Sequence, residues 1–237
     1  WSSDVCSSDL DGLALQQPNN PEAQRNAAQL YALYANAFVD NATRAAVLWE
    51  KSLQRAKQAM ALESEAFARR QGQVYAKFEP VAAAIGEDQK ETLFTLVAAW
   101  AGYIKSHADD FSALTDLPKL TLLADRLLEL APDMRHGAPR LIKARLLMLL
   151  PPAYGGDPEA ARRQYDKAVA LTDGAYLPAL VAYAEHYAKP LFKPELFQRL
   201  LRRVLDADPA AVPDMTLANT MAQNRARELL RRADEYF

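Results

Sequence analysis

The sequence predicts an all-α fold, and three observations support this prediction. Apolar residues recur at steps of three and four through almost every segment, which is the spacing of a buried helix face. No stretch shows the sustained apolar–polar alternation of a half-buried strand. Similar helix-ending segments at 128–133, 169–174 and 204–209 begin 41 and 35 residues apart. Because stacked helical hairpins repeat at about this spacing, we expect an irregular α-α superhelical array.

The segment 151–171 predicts one helical hairpin most clearly. A Pro-Pro pair ends the preceding helix, and Gly155 and Gly156 permit a tight turn in which we expect one glycine to have positive φ. Asp157 is a suitable N-cap, and Pro158 suits the first position of a helix. The helices on both sides have an apolar face with small residues. This pattern is typical of a tetratricopeptide-like hairpin.

Caps and breakers place the other helices in chain order. Asn20 is a suitable N-cap with Pro21 after it, and Pro80 and Gly86 are expected to interrupt helices. The predicted helices around the hairpin cover about 21–38, 41–63, 67–80, 93–104, 116–130, 175–188, 194–207 and 213–234. We expect the last of them to cap the C-terminal end of the array.

Charge and composition exclude several classes of protein. The chain has 28 Lys plus Arg against 30 Asp plus Glu, and acids are interleaved among its arginine clusters. A nucleic-acid-binding protein would show a concentrated basic excess, so no nucleic-acid partner is predicted. The longest uncharged apolar run, 92–104, is shorter than the roughly 18 residues of a membrane span. We expect residues 11–237 to form a single helical-repeat domain.

Residues 1–10 are predicted not to be native. The segment 4–10 resembles the translation of a sequencing adapter, and it contains the chain's single cysteine. A lipoprotein signal ending at Cys6 is the rival interpretation, but it requires an apolar run before the cysteine, where Ser3, Asp4 and Val5 stand. We therefore expect the native N-terminus, with any lipid anchor, to be missing from this sequence.

Catalytic motifs are absent from the sequence. It has no Gly-rich phosphate loop, no HExxH, no GxSxG and no metal-spaced Cys/His cluster. His107, His136 and His186 are scattered over different predicted elements. We predict no catalytic residue, no metal site and no cofactor, and an enzyme whose acids converge only in the fold is the third-ranked alternative.

Aromatic residues on the helices are the candidates for ligand contact. Trp100 and Tyr103 lie three apart on one predicted helix face, and Tyr154 lies at the turn. We expect these three residues to line an apolar cavity or channel; the alternative is that all three are buried between helices.

Several segments together resemble the TRAP transporter T-component (TatT) family. These are LPPAYGGDPEAARRQYDKAVALTDG, AYAEHYAKP, LFQRLLRRVLDADP and LANTMAQNRARELLRRADEYF, and the similarity covers nearly all of 11–237. Residues 64–91 match least well. Gly155, Gly156, Asp157 and Pro158 in the turn match the family's motifs. In the last helix the matching positions are Leu217, Ala218, Asn219, Ala222, Arg225 and Ala226. We expect these positions to be structural.

The resemblance implies a bacterial, periplasmic and usually lipid-anchored protein of tetratricopeptide-like hairpins. It implies pairing with the solute-binding protein of a tripartite ATP-independent periplasmic (TRAP) transporter, a homotrimer with pores, and a hydrophobic ligand. No catalytic residues are established for the family. The alternative function is a generic scaffold that binds an extended peptide or protein partner in its concave groove.

Overall fold

The structure is a computed structural model that describes residues 12, 14, 16–39, 41–107 and 109–237. Within these ranges the chain is helical and contains no strand, which confirms the predicted all-α fold. The chain divides into two compact units between Ala131 and Pro132. The single domain over 11–237 stays a prediction, and residues 1–10 lie outside the described residues.

The first unit is built on a helical hairpin to which the later helices are added. Its helices are α1 (Pro21–Ala37), α2 (Ala42–Glu63), α3 (Glu65–Arg70), α4 (Tyr75–Ala84), α5 (Lys90–Ser106), α6 (Phe111–Leu114) and α7 (Leu117–Leu130). The hairpin is α1 and α2; α5 packs on α2, and α7 packs on α5 and α4. Asn20 caps α1 by accepting the backbone N–H groups of Glu22 and Ala23.

A close approach between α2 and α5 depends on Gly102. A Cβ atom at this position would lie 2.2 Å from the Trp49 ring. Since real Cβ atoms do not approach a ring carbon so closely, only glycine lets the two helices pack at this depth. Trp100 and Tyr103 lie within two residues of this contact on α5.

The predicted helix end near Pro80 is wrong. The chain breaks earlier, between Arg70 and Tyr75, and α4 then continues through Pro80 to Ala84. Proline removes one hydrogen bond from the helix. Phe78, Val81 and Ala82 on either side are buried, and we infer that this apolar burial outweighs the lost bond.

The second unit contains the predicted hairpin. Its helices are α8 (Met134–Leu147), α9 (Pro158–Ala170), α10 (Leu177–Tyr183), α11 (Pro194–Asp206) and α12 (Thr216–Arg231). α8 packs on α9, and α10, α11 and α12 pack on one another. Two features were not predicted: α10 continues as a π-helix over Ala184–Ala188, and Arg135, His136 and Gly137 at the start of α8 all have positive φ.

The two glycines of the hairpin turn have different functions. Gly155 has φ +99°, and a Cβ atom there would meet nothing within 4 Å. The φ of Gly156 is not positive, but a Cβ atom there would lie 1.8 Å from the Leu150 carbonyl oxygen. Asp157 then caps α9, because its Oδ1 accepts the Ala160 N–H at 2.8 Å. Gly155 therefore supplies left-handed backbone, and Gly156 supplies space.

Candidate functional site

Trp100 and Tyr103 lie one turn apart on α5 but differ in exposure. Trp100 is 1% exposed, so its indole belongs to the core of the first unit. Tyr103 is half-buried, and its ring stacks on His107 with centroids 4.2 Å apart. Of the two, only Tyr103 has an accessible surface that could contact a ligand directly.

Tyr154, the third predicted residue, belongs to the second unit. Its backbone lies in the 3-10 turn Pro152–Tyr154, and its side chain is outside what the structure describes. The predicted cavity wall of Trp100, Tyr103 and Tyr154 stays a prediction.

Lys57 on α2 covers the indole of Trp100. Its Nζ lies 4.3 Å from the ring centroid, within the range of a cation–π contact. Burial lowers the pKa of Lys57, the charge of Asp116 opposes this effect, and Lys119 adds to it. No carboxylate of the described ranges forms an ion pair with Lys57.

Asp116 and Lys119 bring two further charges to the same place. Lys119 is almost buried, and its Nζ lies 2.9 Å from Asp116 Oδ1 and 5.7 Å from the Phe78 ring centroid. Sequence reasoning missed Lys57 and Lys119. Their sequence positions could have indicated that they are partly buried, because each lysine lies next to inward-facing apolar residues of an amphipathic helix.

The phenol of Tyr103 lies in a negative field. Burial raises its pKa, and the charges of Glu50, Asp110 and Asp116 raise it further. We call the group formed by Lys57, Trp100, Tyr103, Asp116 and Lys119 the α5 patch.

A cavity of about 440 Å³ lies elsewhere in the first unit. It is lined by Gln17, Asn20, Glu22, Ala23, Asn26, Ala27 and Leu30. Trp100 and Tyr103 are not among these residues, so the predicted aromatic wall does not belong to this cavity.

Asn219 on α12 connects three stretches of backbone. It is 2% exposed; its Oδ1 accepts the Leu177 N–H at 3.0 Å, and its Nδ2 donates to the carbonyls of Ala175 at 3.0 Å and Pro209 at 3.4 Å. These bonds hold the start of α10 and the beginning of the α11–α12 connection against α12. The arrangement is structural.

Arg225, two turns further along α12, binds the π-helix. Its guanidinium forms two hydrogen bonds with the carboxylate of Glu185 and one, at 2.7 Å, with Glu228. The hydrogen bond to Glu185 is the main cause that raises the pKa of Arg225, so the charge is permanent. This pair fixes the π-helical turn to α12.

Neither a membrane span nor a metal-binding group is found in the described ranges. None of their helices combines the length and the apolar character that crossing a bilayer needs. No group of three or more His, Cys, Asp or Glu side chains in these ranges could hold a metal ion.

Comparison with protein families gives a match over residues 9–237 to the model described as TRAP transporter T-component. The match extends over both compact units. Comparison with curated proteins gives no match.

Proposed function

Because the chain belongs to the TRAP transporter T-component family, we propose that it is a non-catalytic accessory protein that pairs with the solute-binding protein of a TRAP system. The family assigns the chain a role in TRAP transport. The match over 9–237 is the observation that supports the proposal, since it includes the turn and the last helix on which the resemblance rests. The proposed location is the periplasm, with a lipid anchor.

Handling of a hydrophobic ligand is the second part of the proposal. It is supported by the α5 patch, where the half-buried Tyr103 lies on the same helix as the indole of Trp100. Aromatic side chains with a polar tip at a partly wet surface are suited to apolar or amphipathic molecules. The ligand would contact Tyr103 directly and would reach Trp100 only after Lys57 moves.

The pairing is tested by a pull-down with the solute-binding protein encoded beside this chain. The control is the solute-binding protein of an unrelated uptake system from the same genome. Selective capture of the neighbour supports the proposal. If the folded protein captures neither, pairing is excluded, and a scaffold that binds an extended peptide becomes the better interpretation.

A homotrimer is the assembly that the family resemblance implies. Exposed apolar side chains on α12 are compatible with a contact surface, since Leu217 is 75% and Met221 is 50% exposed. Light scattering coupled to size exclusion measures the mass directly. A monomer at all concentrations would exclude the trimer without affecting the pairing proposal.

A further inference from the structure

Phe192 is an exposed aromatic residue on strained backbone, just after the π-helix of the second unit. Its φ is +53°, and 70% of the residue is exposed. Its N–H donates to the Lys189 carbonyl at 3.1 Å, and the Lys193 N–H donates to the Ala188 carbonyl at 3.0 Å. This is the Schellman pattern, whose left-handed position is usually glycine. Phenylalanine is unfavourable there, because its Cβ atom crowds the backbone.

A cluster of aromatic rings holds the Phe192 ring in place. Its centroid lies 5.7 Å from that of Phe237, edge to face, and Phe237 lies 5.3 Å from the buried Phe197. Tyr236 packs on Phe197 at 6.1 Å. We call these four residues the aromatic cluster. Phe237 is itself 37% exposed, so the cluster presents two adjacent rings to solvent.

Two lysines border the aromatic cluster. Lys189 Nζ lies 3.5 Å from the ring centroid of Tyr236. Lys193 Nζ lies 4.9 Å from the ring centroid of Tyr187 and donates to its hydroxyl at 3.3 Å. Neither ammonium group forms an ion pair with a carboxylate of the described ranges.

The charges at this border favour an acidic partner. Arg232 also lies over Tyr236, at 5.5 Å, but it pairs with Glu235 at 2.8 Å. Of these three cations, Lys189 and Lys193 are the two left without a carboxylate among the described residues. Carboxylates on a partner would complement them.

The fixed orientation of Phe192 favours a folded protein as that partner. Backbone strain persists only where the surrounding structure imposes it, and it is concentrated at functional positions. A pocket of fixed shape gains affinity from a ring that is already ordered, because less conformational entropy is lost on binding. A fluid lipid surface has no fixed shape to match. Aromatic residues with a charged border are typical of the centre of a protein interface.

We propose that the aromatic cluster, with Lys189 and Lys193, is the docking surface for the solute-binding protein. The partner supplies an apolar pocket bordered by carboxylates; Phe192 fills the pocket, and the two lysines pair with its border. This inference rests on the proposed pairing, and it adds the surface of this chain that makes the contact and the chemistry of the surface it meets.

The test measures binding of the purified solute-binding protein encoded beside this chain to the immobilised full chain by surface plasmon resonance. Phe192→Gly removes the ring and suits the left-handed backbone, so the variant should fold. It should weaken binding about tenfold or more, as expected for a central interface residue. Phe237→Ala should also weaken binding, because it removes the ring that positions Phe192. Circular dichroism melts check that each variant is folded.

Phe38→Gly is the matched control. Phe38 is the same type of residue and is 68% exposed, but it lies at the end of α1 in the first unit. Its substitution should leave binding of the solute-binding protein unchanged.

Lys193→Met tests the charge at the border of the cluster. Methionine keeps an unbranched side chain but removes the ammonium group. The association rate should fall several-fold and depend less on salt, because exposed border charges act chiefly on the encounter of the two proteins. Lys167→Met is the control, since Lys167 is an exposed lysine on α9 outside the cluster.

Several outcomes would overturn the inference. They are equal binding of Phe192→Gly and the native protein, or a loss in Phe38→Gly as large as that in Phe192→Gly. Phe192-dependent sedimentation with phosphatidylglycerol vesicles would identify a lipid surface instead. A lower mass of Phe192→Gly in light scattering would identify a second copy of this chain.

The native protein separates failure of this inference from failure of the pairing. If it does not bind the solute-binding protein, the pairing itself fails. If it binds and Phe192→Gly binds equally well, the pairing stands and only the proposed docking surface is wrong.

Discussion

Asn219 accepts the backbone N–H of Leu177 at 3.0 Å, although the two residues are 42 positions apart in the chain. The bond satisfies a donor at the first residue of α10, where no residue of the helix itself can accept it. The same side chain donates to Ala175, so a single amide organises the entry into the helix. Asn219 is therefore a long-range cap.

Asn219→Ala should destabilise the protein by about 2 kcal/mol, because the buried Leu177 N–H and the carbonyls of Ala175 and Pro209 lose this partner. Chemical denaturation measures the change in the free energy of unfolding. Asn224→Ala on the same helix is the control, since Asn224 is exposed and accepts a hydrogen bond from the exposed Arg227. Equal effects of the two substitutions would contradict the capping role of Asn219.

Substitutions at the hairpin turn should separate its two glycines. Gly155→Ala should cost about 1 kcal/mol, because alanine is strained at φ +99° but has free space there. Gly156→Ala should cost about 2 kcal/mol or more, because its Cβ atom would collide with the Leu150 carbonyl and displace the backbone.

Gly72→Ala provides the reference for both turn variants, since a Cβ atom there meets nothing within 4 Å and its φ is not positive. Thermal and urea melts of the three variants give the ranking. If Gly156→Ala resembles Gly72→Ala, the turn is not packed as closely as described.

The stability contributed by Lys57 should rise with pH. Burial and Lys119 lower the pKa of Lys57 below its ordinary value of 10.5, and Asp116 only partly opposes them. Between the lowered pKa and 10.5 the unfolded chain binds more protons than the folded one, so the free energy of unfolding increases with pH in that window.

The measurement compares the native protein with Lys57→Met by urea denaturation at neutral pH and at a pH just below 10.5. Relative to Lys57→Met, the native protein should have a greater free energy of unfolding at the higher pH than at neutral pH. A difference that stays constant would mean that Lys57 is as well solvated when folded as when unfolded.

The Arg225–Glu185 pair should contribute modestly to stability. A double-mutant cycle with Arg225→Met and Glu185→Gln should give a coupling of about 0.5 to 1 kcal/mol, because Arg225 is 42% exposed and solvent screens the charges. Arg225→Lys should lose most of the coupling, since lysine cannot form the two parallel bonds to one carboxylate.

The reference for this cycle is the Arg232–Glu235 pair, which is local and exposed, and we expect a smaller coupling there. A cycle energy near zero for Arg225 and Glu185 would mean that the π-helical turn is held by packing alone.

The sequence by itself determined the features that depend on neighbours in the chain. The cap at Asn20, the cap at Asp157 and one left-handed glycine in the turn follow from residues within a few positions, and the structure has all three. That this glycine is Gly155 and not Gly156 was seen only in the structure. Helical periodicity likewise determined the all-α fold, because it depends on spacing alone. The predicted helix end near Pro80 was wrong. Proline by itself disfavours a helix, but burial of the neighbouring apolar residues keeps this helix continuous.

Only the tertiary structure decided what surrounds Trp100. Periodicity placed it on the apolar face of α5, but the ammonium above it comes from α2, and the neighbouring pair of Lys119 and Asp116 comes from the start of α7. The partners of Asn219 are likewise set by how α10 and α12 pack. Such contacts depend on the relative rotation and depth of packed helices. The absence of a side chain at Gly102 sets that depth for α2 and α5, and no local spacing in the sequence encodes it.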